Sequence, residues 1–509
     1  MPVRSGACPS IRGAPKAAAF NHGATLIQLL YVKNVILRHT GVLQQELVFV
    51  LAVRNLAYKK CVEVIWAGEN GIWHNLKAEY IGPKGANHEI WQARATFQLT
   101  GEDPLPGDIQ FVSHYQVCGR DYWNPPNYQT STVNADSGVH MEDKFPLLNL
   151  DYQPLLHTGQ QYYPVTIAVR RDLRPERVSI RWTTNRWRTF TDTPAFFMRR
   201  HWHRAVGGNA LSPNRYGCAV WISQLHLGDA YQVEYALACE AGGREYWDNN
   251  YGTNYLSRRD RLKILTLNLH CYQEEQQDEK FRRIVKAIQD LNIDVVCLQE
   301  VGERWNDGHG DWNSNAARII CDRLGNSHFV CTDWGHIGFG QYREGTAILS
   351  RYPFLMQDSR YVSATQDIHN INARKVVMGQ IQVPYFGVIN VFSVHLSWWH
   401  DGFRGQFENL RQWAETRQTP DVAATLLCGD LNSAANAEGY AVASQDYEDQ
   451  FFKANARRLS RADDHRIDYV FMKKGSALEV RSAYRLFTAD DYGPVSDHYG
   501  YYGEFEPRV

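Results

Sequence analysis

Six stretches between residues 261 and 509 each set a group capable of acid, base or metal chemistry beside an apolar run. "LKILTLNL" carries Asn268, "IDVVCLQE" Glu300, "NVFSVHLS" His395, "ATLLCGDLN" Asp430 and Asn432, "RIDYVF" Asp468, and "VSDHYG" Asp497 with His498. A polar side chain placed among buried residues is costly unless it binds something. Singly, each has an ordinary explanation: Asp430 shapes a Gly-Asp turn, Glu300 caps a helix, His395 is a satisfied core histidine. Jointly they are what hydrolysis of a phosphate ester demands: oxygen ligands for a hard cation, a base for water, and a cationic donor for phosphoryl oxygens.

Spacing refines the roles. Asp430 and Asn432 are two apart and share one side of an extended segment, so a carboxylate can hold the attacking water while the amide grips phosphate. Asp497 and His498 are adjacent and serve one site only if "GPVSDH" is still turning, which Gly493 and Pro494 favour. A carboxylate such as Asp468 on the far ring nitrogen of His498 would fix its tautomer and favour the imidazolium. Arg343 and Arg374 are candidates to grip phosphate, with surface pairing as the alternative. Trp398 and Trp399 follow His395 in "LSWWHDGF" and offer a platform for a sugar leaving group, or one core ring and one interface ring.

These groups need a scaffold that collects strand ends. "LKILTLNL", a helix with Phe281, Ile284, Val285, Ile288 and Leu291 on one face, and "IDVVCLQE" read as a β-α-β unit. Parallel strands so joined end on one sheet edge, where Asn268 and Glu300 can meet. The front half has a different texture. "LAVRNL" at Leu51–Leu56 returns as "IAVRRDL" at Ile167–Leu173, and the same shift of 170 − 54 = 116 carries Trp66 onto Trp182. Short Val-, Ile-, Tyr- and Trp-rich runs between Gly, Pro, Asn and Asp predict two β-sandwiches of the immunoglobulin-like kind. The expected divisions are a disordered tail over 1–32, sandwiches over 33–145 and 155–258, and a catalytic domain over 261–509.

Composition narrows the classes. Lys plus Arg number 54 against 55 Asp plus Glu, so no global field draws in a long nucleic acid or an acidic membrane. No stretch approaches the roughly 20 apolar residues of a membrane helix. Ten cysteines lie at least ten positions apart, without metal knuckles or a dense disulfide pattern, which fits reducing cytoplasm.

Residues from about 262 onward resemble the endonuclease/exonuclease/phosphatase superfamily in "LNLH", "LQE", "VHL", "GDLNS", "RIDYVF" and "SDH". That resemblance implies a four-layer α/β sandwich with two central mixed β-sheets and dependence on Mg²⁺, with Mn²⁺ or Ca²⁺ as substitutes. It also implies Glu300 on the metal with Asn268 and Asp497 nearby, and Asp430 orienting water. Asn432 and His498 would stabilise the transition state, Asp468 would pair with His498, and His395 would contact phosphate or the leaving group. The front copies resemble family 21 carbohydrate-binding modules, the second in "REYWDNNYGTNY", whose Trp247, Asn249, Asn250 and Tyr255 would hold a glucose ring; a tight Asn-rich turn on a core Trp is the alternative. The first copy reads "RDYWNPPNY", which removes amide donors and leaves packing, or a homodimer contact, as its alternative. A glucan reader beside a phosphoesterase implies a phosphorylated maltose or malto-oligosaccharide as substrate, with α-glucan at the modules. A nuclease of the same superfamily, or a glycogen-binding scaffold with an inactive hydrolase, are the competing expectations.

Overall fold

The structure is a computed structural model that describes residues 26–39, 41–101, 103–126, 129–203, 208–306, 308–460 and 464–508. Most of the expected tail lies outside the described residues. The chain divides into two compact units at Asp260 and Arg261.

In the first unit the strands of the first copy are β1 (Ile27–His39), β2 (Val42–Arg54), β3 (Lys60–Ala67), β4 (Trp73–Lys77), β5 (Glu79–Lys84), β6 (His88–Gln98), β7 (Ile109–Val117), β8 (Arg120–Asn124), β9 (Ser131–Val133) and β10 (Gly138–Met141). The second copy has β11 (Leu147–Leu150), β12 (Tyr162–Arg170), β13 (Arg177–Thr183), β14 (Thr191–Pro194), β15 (Phe196–Phe197), β16 (Cys218–His226), β17 (Gln232–Ala241), β18 (Arg244–Asp248) and β19 (Tyr255–Arg258). Sheet order is β10-β1-β2-β6-β5 against β4-β3-β7-β8, with β9 on β7, in the first copy. In the second it is β11-β12-β16-β15 against β14-β13-β17-β18, with β19 on β17. Adding ten to each label of the first copy, β10 aside, reproduces the second, so the sequence repeat is a repeat of topology.

Two boundaries differ from expectation. Residues 26–32, assigned to the tail, enter β1, where Ile27, Leu29 and Val32 are buried. Gln28 is buried in this strand too, its Oε1 accepting from the Tyr251 hydroxyl (3.4 Å). Leu147–Leu150, which falls between the two expected sandwiches, is a fully buried strand of the second copy. The two copies also share a core. Phe49, Leu51 and Val53 of β2 face the first copy's own interior, while Val48, Val50 and Ala52 join the cluster built from Ile167, Val169, Val220 and Leu237. Alternation along one strand thus buries both faces of one sheet.

The second unit is built on β20 (Leu262–Asn268), α1 (Gln277–Asp290) and β21 (Val295–Asn306), and β20 and β21 are parallel as the pattern predicts. There follow β22 (His309–Gly310), α2 (Ala316–Arg323), β23 (Phe329–Gly338), β24 (Tyr342–Ser350), β25 (Phe354–Tyr361), β26 (Lys375–Val383), β27 (Gly387–His395), α3 (Phe403–Thr416) and β28 (Val422–Asp430). The chain ends with α4 (Glu438–Ala443), β29 (Tyr447–Asp449), α5 (Gln450–Asn455), β30 (Asp468–Lys473), β31 (Leu478–Leu486) and β32 (Gly500–Pro507). One mixed sheet runs β23-β24-β21-β20-β32-β31 with β22 on β21, the other β25-β26-β27-β28-β30-β29. Helices α1 and α2 cover the first sheet through Phe281, Ile284 and Ile320, and α3 and α4 cover the second through Phe407, Leu410 and Tyr440. The two sheets are stitched by buried polar groups: Gln299 Nε2 donates to Ser393 Oγ (3.0 Å), which donates to the Leu298 carbonyl (2.9 Å). Among the described residues no helix is long and apolar enough to cross a membrane, and the nine described cysteines are free thiols.

Just ahead of β30, Arg466 is buried between Asp449, which both its terminal nitrogens reach, and Asp464, 2.8 Å from its Nε, with the rings of Phe451 and Tyr469 at 4.7 and 4.8 Å. Removing the guanidinium strands two carboxylates in an apolar site. Arg466→Met is therefore expected to cost about 3–5 kcal/mol of stability, read from urea denaturation; a loss below about 1 kcal/mol would mean that water already solvates the pair.

Candidate active site

Four strand ends meet at one edge of the paired sheets. Asn268 closes β20 beside Gln299, His395 closes β27 opposite Asp430 at the end of β28, and Asp468 opens antiparallel β30 opposite Asp430. Gly429 permits the approach: its φ is +149°, and a Cβ there would lie 1.9 Å from the Val394 carbonyl oxygen. Glu300 is the extra residue of a bulge in β21, at φ +48°. Asn432 at +49° and His270 at +43° share that left-handed conformation, which glycine would adopt at lower cost. Retaining functional side chains there places strain where chemistry is expected.

Asn268 is fully buried and bridges the sheets, its Nδ2 donating to Glu300 Oε1 (2.8 Å) and Asp430 Oδ2 (3.1 Å) while its Oδ1 accepts from the His270 N–H (3.0 Å). Two carboxylates require a donor, so it is the amide nitrogen that faces the site and Asn268 serves as a spacer between acids. Asp430 also accepts the Asn432 backbone N–H at 2.7 Å, an Asx turn that brings the pair together in place of strand alternation. Asn432 Nδ2 donates to the Leu396 carbonyl (2.8 Å) and lies 3.3 Å from His395 Nε2. Residues 490–498 do turn, and His498 Nδ1 sits 2.7 Å from Asp468 Oδ2.

Electrostatics separate the groups. Burial, then the charge of Asp468, pushes Asp430 up to about 8. Burial, then Glu344, raises Glu300. Burial raises Asp468 despite His498, and its Oδ1 is buried without a donor among the described residues. Burial would lower His498, but the hydrogen bond and charge of Asp468, with Asp430, carry it up to about 9. Burial and the Arg374 charge drive His395 well below the ordinary histidine range. Its Nδ1 lies 3.2 Å from Arg374 Nη1, a group that can only donate, so the ring stays neutral with Nδ1 accepting and the proton on Nε2.

Ligand atoms fall into three groups: Glu300, His395 and Asp430; Asp430, Asp468 and His498; and His270, Glu274 and Asp497. Glu300 and Asp497, expected on one metal, belong to different groups. Asp497 is the exposed member, 3.6 Å from His270 and 3.9 Å from His498.

Of the two arginines, Arg374 reaches the cluster, while Arg343 does not. Arg343 and Glu344 are neighbours on a strand and face opposite ways. Arg343 lies between Trp305 and Trp334, 4.7 and 4.6 Å from their rings, and bonds Glu303 at 3.2 Å. Glu344 instead pairs with His336 at 3.3 Å, and both line a small cavity with Arg374 and His395. His336, Glu344, His270 and Glu274 were not anticipated. Trp398 is 55% exposed, and Trp399 packs on Phe403 at 5.7 Å.

The expected sugar residues in the second copy divide. Asn250 and Tyr255 are buried and structural. The Asn250 amide donates to the Pro83 and Asn254 carbonyls, and the Tyr255 hydroxyl donates to Asp248. Buried Lys84 of the first copy places its ammonium 4.3 Å from the Tyr251 ring and 5.6 Å from that of Tyr255. The turn is thus a clasp between the copies, which its sequence could not show. Trp247 remains half exposed, with Arg181 at 5.4 Å, and the Asn249 side chain accepts from the Gly252 N–H. A different surface of this copy is open: Phe197 and Trp221, directly paired across β15 and β16, line a groove of about 730 Å³ with Arg171, Asp172, Arg174 and Pro175.

Residues 265–498 match the Endonuclease/Exonuclease/phosphatase family, and residues 165–257 match the Carbohydrate/starch-binding module (family 21). For the first copy the likeness rests on the shared strand order. Glucoamylase 1 of Rhizopus oryzae is 36% identical over 88 residues, which are 16% of this chain and 13% of that enzyme. Among solved structures, an endonuclease/exonuclease/phosphatase family protein from Leptotrichia buccalis C-1013-b shares 26% identity at a TM-score of 0.42, covering 48% of this chain and 99% of its own. The human Nocturnin catalytic domain with bound sulfate anion shares 20% at 0.39, covering 49% and 94%.

Proposed function

We propose that the protein is a metal-dependent phosphomonoesterase for a phosphorylated α-glucoside, acting as a maltose 6'-phosphate phosphatase in the cytoplasm, with immunoglobulin-like front domains and a four-layer catalytic sandwich. The observation that carries this reading is the presence in one chain of a phosphoesterase-type edge and a segment matching a starch-binding module. Near-neutral charge supports a small substrate over a nucleic acid.

The acids fit a hard cation. Burial raises Glu300, Asp430 and Asp468, with the charges of Glu344, Asp468 and Asp497 adding to it in turn, and the orphaned Asp468 Oδ1 adds an unsatisfied oxygen. Glu300, whose ligand atom lies with those of His395 and Asp430, would hold Mg²⁺, whose charge would polarise the phosphate oxygens and return neighbouring acids to their ionised form. Asp430 then orients the attacking water and takes its proton. The His498 imidazolium, held by Asp468, and the Asn432 amide meet the phosphoryl oxygens, with Arg374 behind neutral His395. Trp398 offers the departing sugar a flat apolar face.

Free phosphate release from maltose, glucose and trehalose 6-phosphates, beside plasmid DNA, tests this. Maltose phosphate should lead by about tenfold or more in kcat/KM, and chelation followed by Mg²⁺ should abolish and restore release. Nicking of plasmid without phosphate release would transfer the assignment to the nuclease alternative.

A further inference from the structure

We infer that the groove on β15 and β16 selects glucan chains that carry phosphate, which would make phosphorylated glucan, beyond free maltose phosphate, part of this enzyme's substrate range. This rests on the phosphoesterase reading and deepens it. Phe197 and Trp221 provide the apolar floor, with ring centroids 5.7 Å apart, the arrangement that stacks against sugar faces. A volume of about 730 Å³ suits two or three glucose units.

What sets this groove apart is its charge. Arg171 and Arg174 line it, both are exposed, and neither has an ion pair or side-chain hydrogen bond among the described residues. The acid beside them, Asp172, is engaged by Arg170, whose Nε lies 2.9 Å from its Oδ1 and whose Nη2 reaches its Oδ2. The acid is thereby neutralised locally, and two free guanidiniums face the groove. Arg174 holds φ +52° at the end of the short turn Arg171–Leu173, a conformation that glycine or asparagine would occupy more readily.

The internal repeat supplies the comparison. The shift of 116 places Asn55 opposite Arg171 and Tyr58 opposite Arg174. The first copy keeps the ring pair, Tyr80 with Trp91 across β5 and β6, 5.9 Å apart. At the first copy's edge the cations are Lys59 and Lys60, the latter paired with Glu89 at 2.8 Å, whereas the second copy offers two arginines beside its ring pair. A neutral glucan has no use for unpaired guanidiniums, whereas a phosphate monoester, a dianion with three acceptor oxygens, pairs with them in bidentate fashion.

The test uses the full chain carrying Asp430→Asn, so that ligand survives, and co-sedimentation with phosphorylated amylopectin or the same polymer after enzymatic dephosphorylation. The parent should prefer the phosphorylated polymer by roughly fivefold or more at 0.1 M salt, with the preference shrinking as salt rises. Arg171→Gln with Arg174→Gln should erase the preference yet leave affinity for β-cyclodextrin unchanged, and Phe197→Ala with Trp221→Ala should lose both. Circular dichroism establishes that each variant is folded. A preference that survives the arginine substitutions, an equal loss of neutral and charged ligand, or displacement by inorganic polyphosphate as effective as by phosphoglucan would overturn the inference. Phosphate release from maltose 6'-phosphate by the unsubstituted chain, measured in parallel, reports separately on the phosphatase reading.

Discussion

Asp430→Asn is expected to lower kcat for phosphate release by about 10²- to 10⁴-fold, with little change in KM. The carboxylate is 2% exposed and is held at three points: by the end of β28, by Asn268 Nδ2 and by the Asn432 N–H. Such a group cannot swing away to be replaced by another base. Burial and Asp468 push it up to about 8, which makes it a stronger base than an exposed aspartate, and nearby cation charge would favour its ionised form. An amide at this position keeps shape and polarity but cannot accept a proton. Steady-state phosphate release, with circular dichroism as a control for folding, measures the effect. A variant retaining more than about a tenth of wild-type turnover would remove Asp430 from the role of base.

Much of this edge was legible because a β-α-β unit obliges parallel strands to finish together, so the ends of "LKILTLNL" and "IDVVCLQE" had to be neighbours. Asp430 and His395 follow by the same rule on the second sheet. What escaped obeys it in reverse. In an antiparallel strand it is the beginning that reaches the shared edge, so Glu344, third in β24 and ahead of the apolar "TAIL", lies there as Asp468 does at the start of β30. An apolar run preceded by an acid is a weaker signal than one followed by it, and the neighbouring Arg343, the expected phosphate ligand, is turned the other way by alternation. The front half failed differently. Asn250 and Tyr255 have the composition of a sugar site, but the partner that buries them, the Pro83–Lys84 segment of β5, lies more than 160 residues earlier. Local pattern cannot report a contact between repeats, and the pair of exposed Phe197 and half-buried Trp221 lacks any motif, being joined only by strand register.

His498→Gln is expected to cost about 10²-fold or more in kcat, and its partner supplies the sharper measurement because it acts through pH. His498 titrates at about 9 in the fold, above the ordinary value of 6.5, since the Asp468 hydrogen bond and charge outweigh burial. A group raised in this way is fully charged below 6.5, and its favourable interaction is lost as pH climbs through 9. If the imidazolium is the form that meets phosphate, kcat should hold on the alkaline side until about pH 9. Asp468→Asn keeps the shape of the contact and removes the charge, leaving only Asp430 and Asp497 to oppose burial, so the alkaline limb should move down by at least about one unit. The ratio of wild-type to variant kcat should then widen steadily between pH 6 and 9, and near pH 6 the variant should recover much of its rate. A merely structural Asp468 would lower kcat by the same factor at every pH. A flat ratio across that range would therefore deny the carboxylate its part in holding the proton on His498, even if the variant were slow.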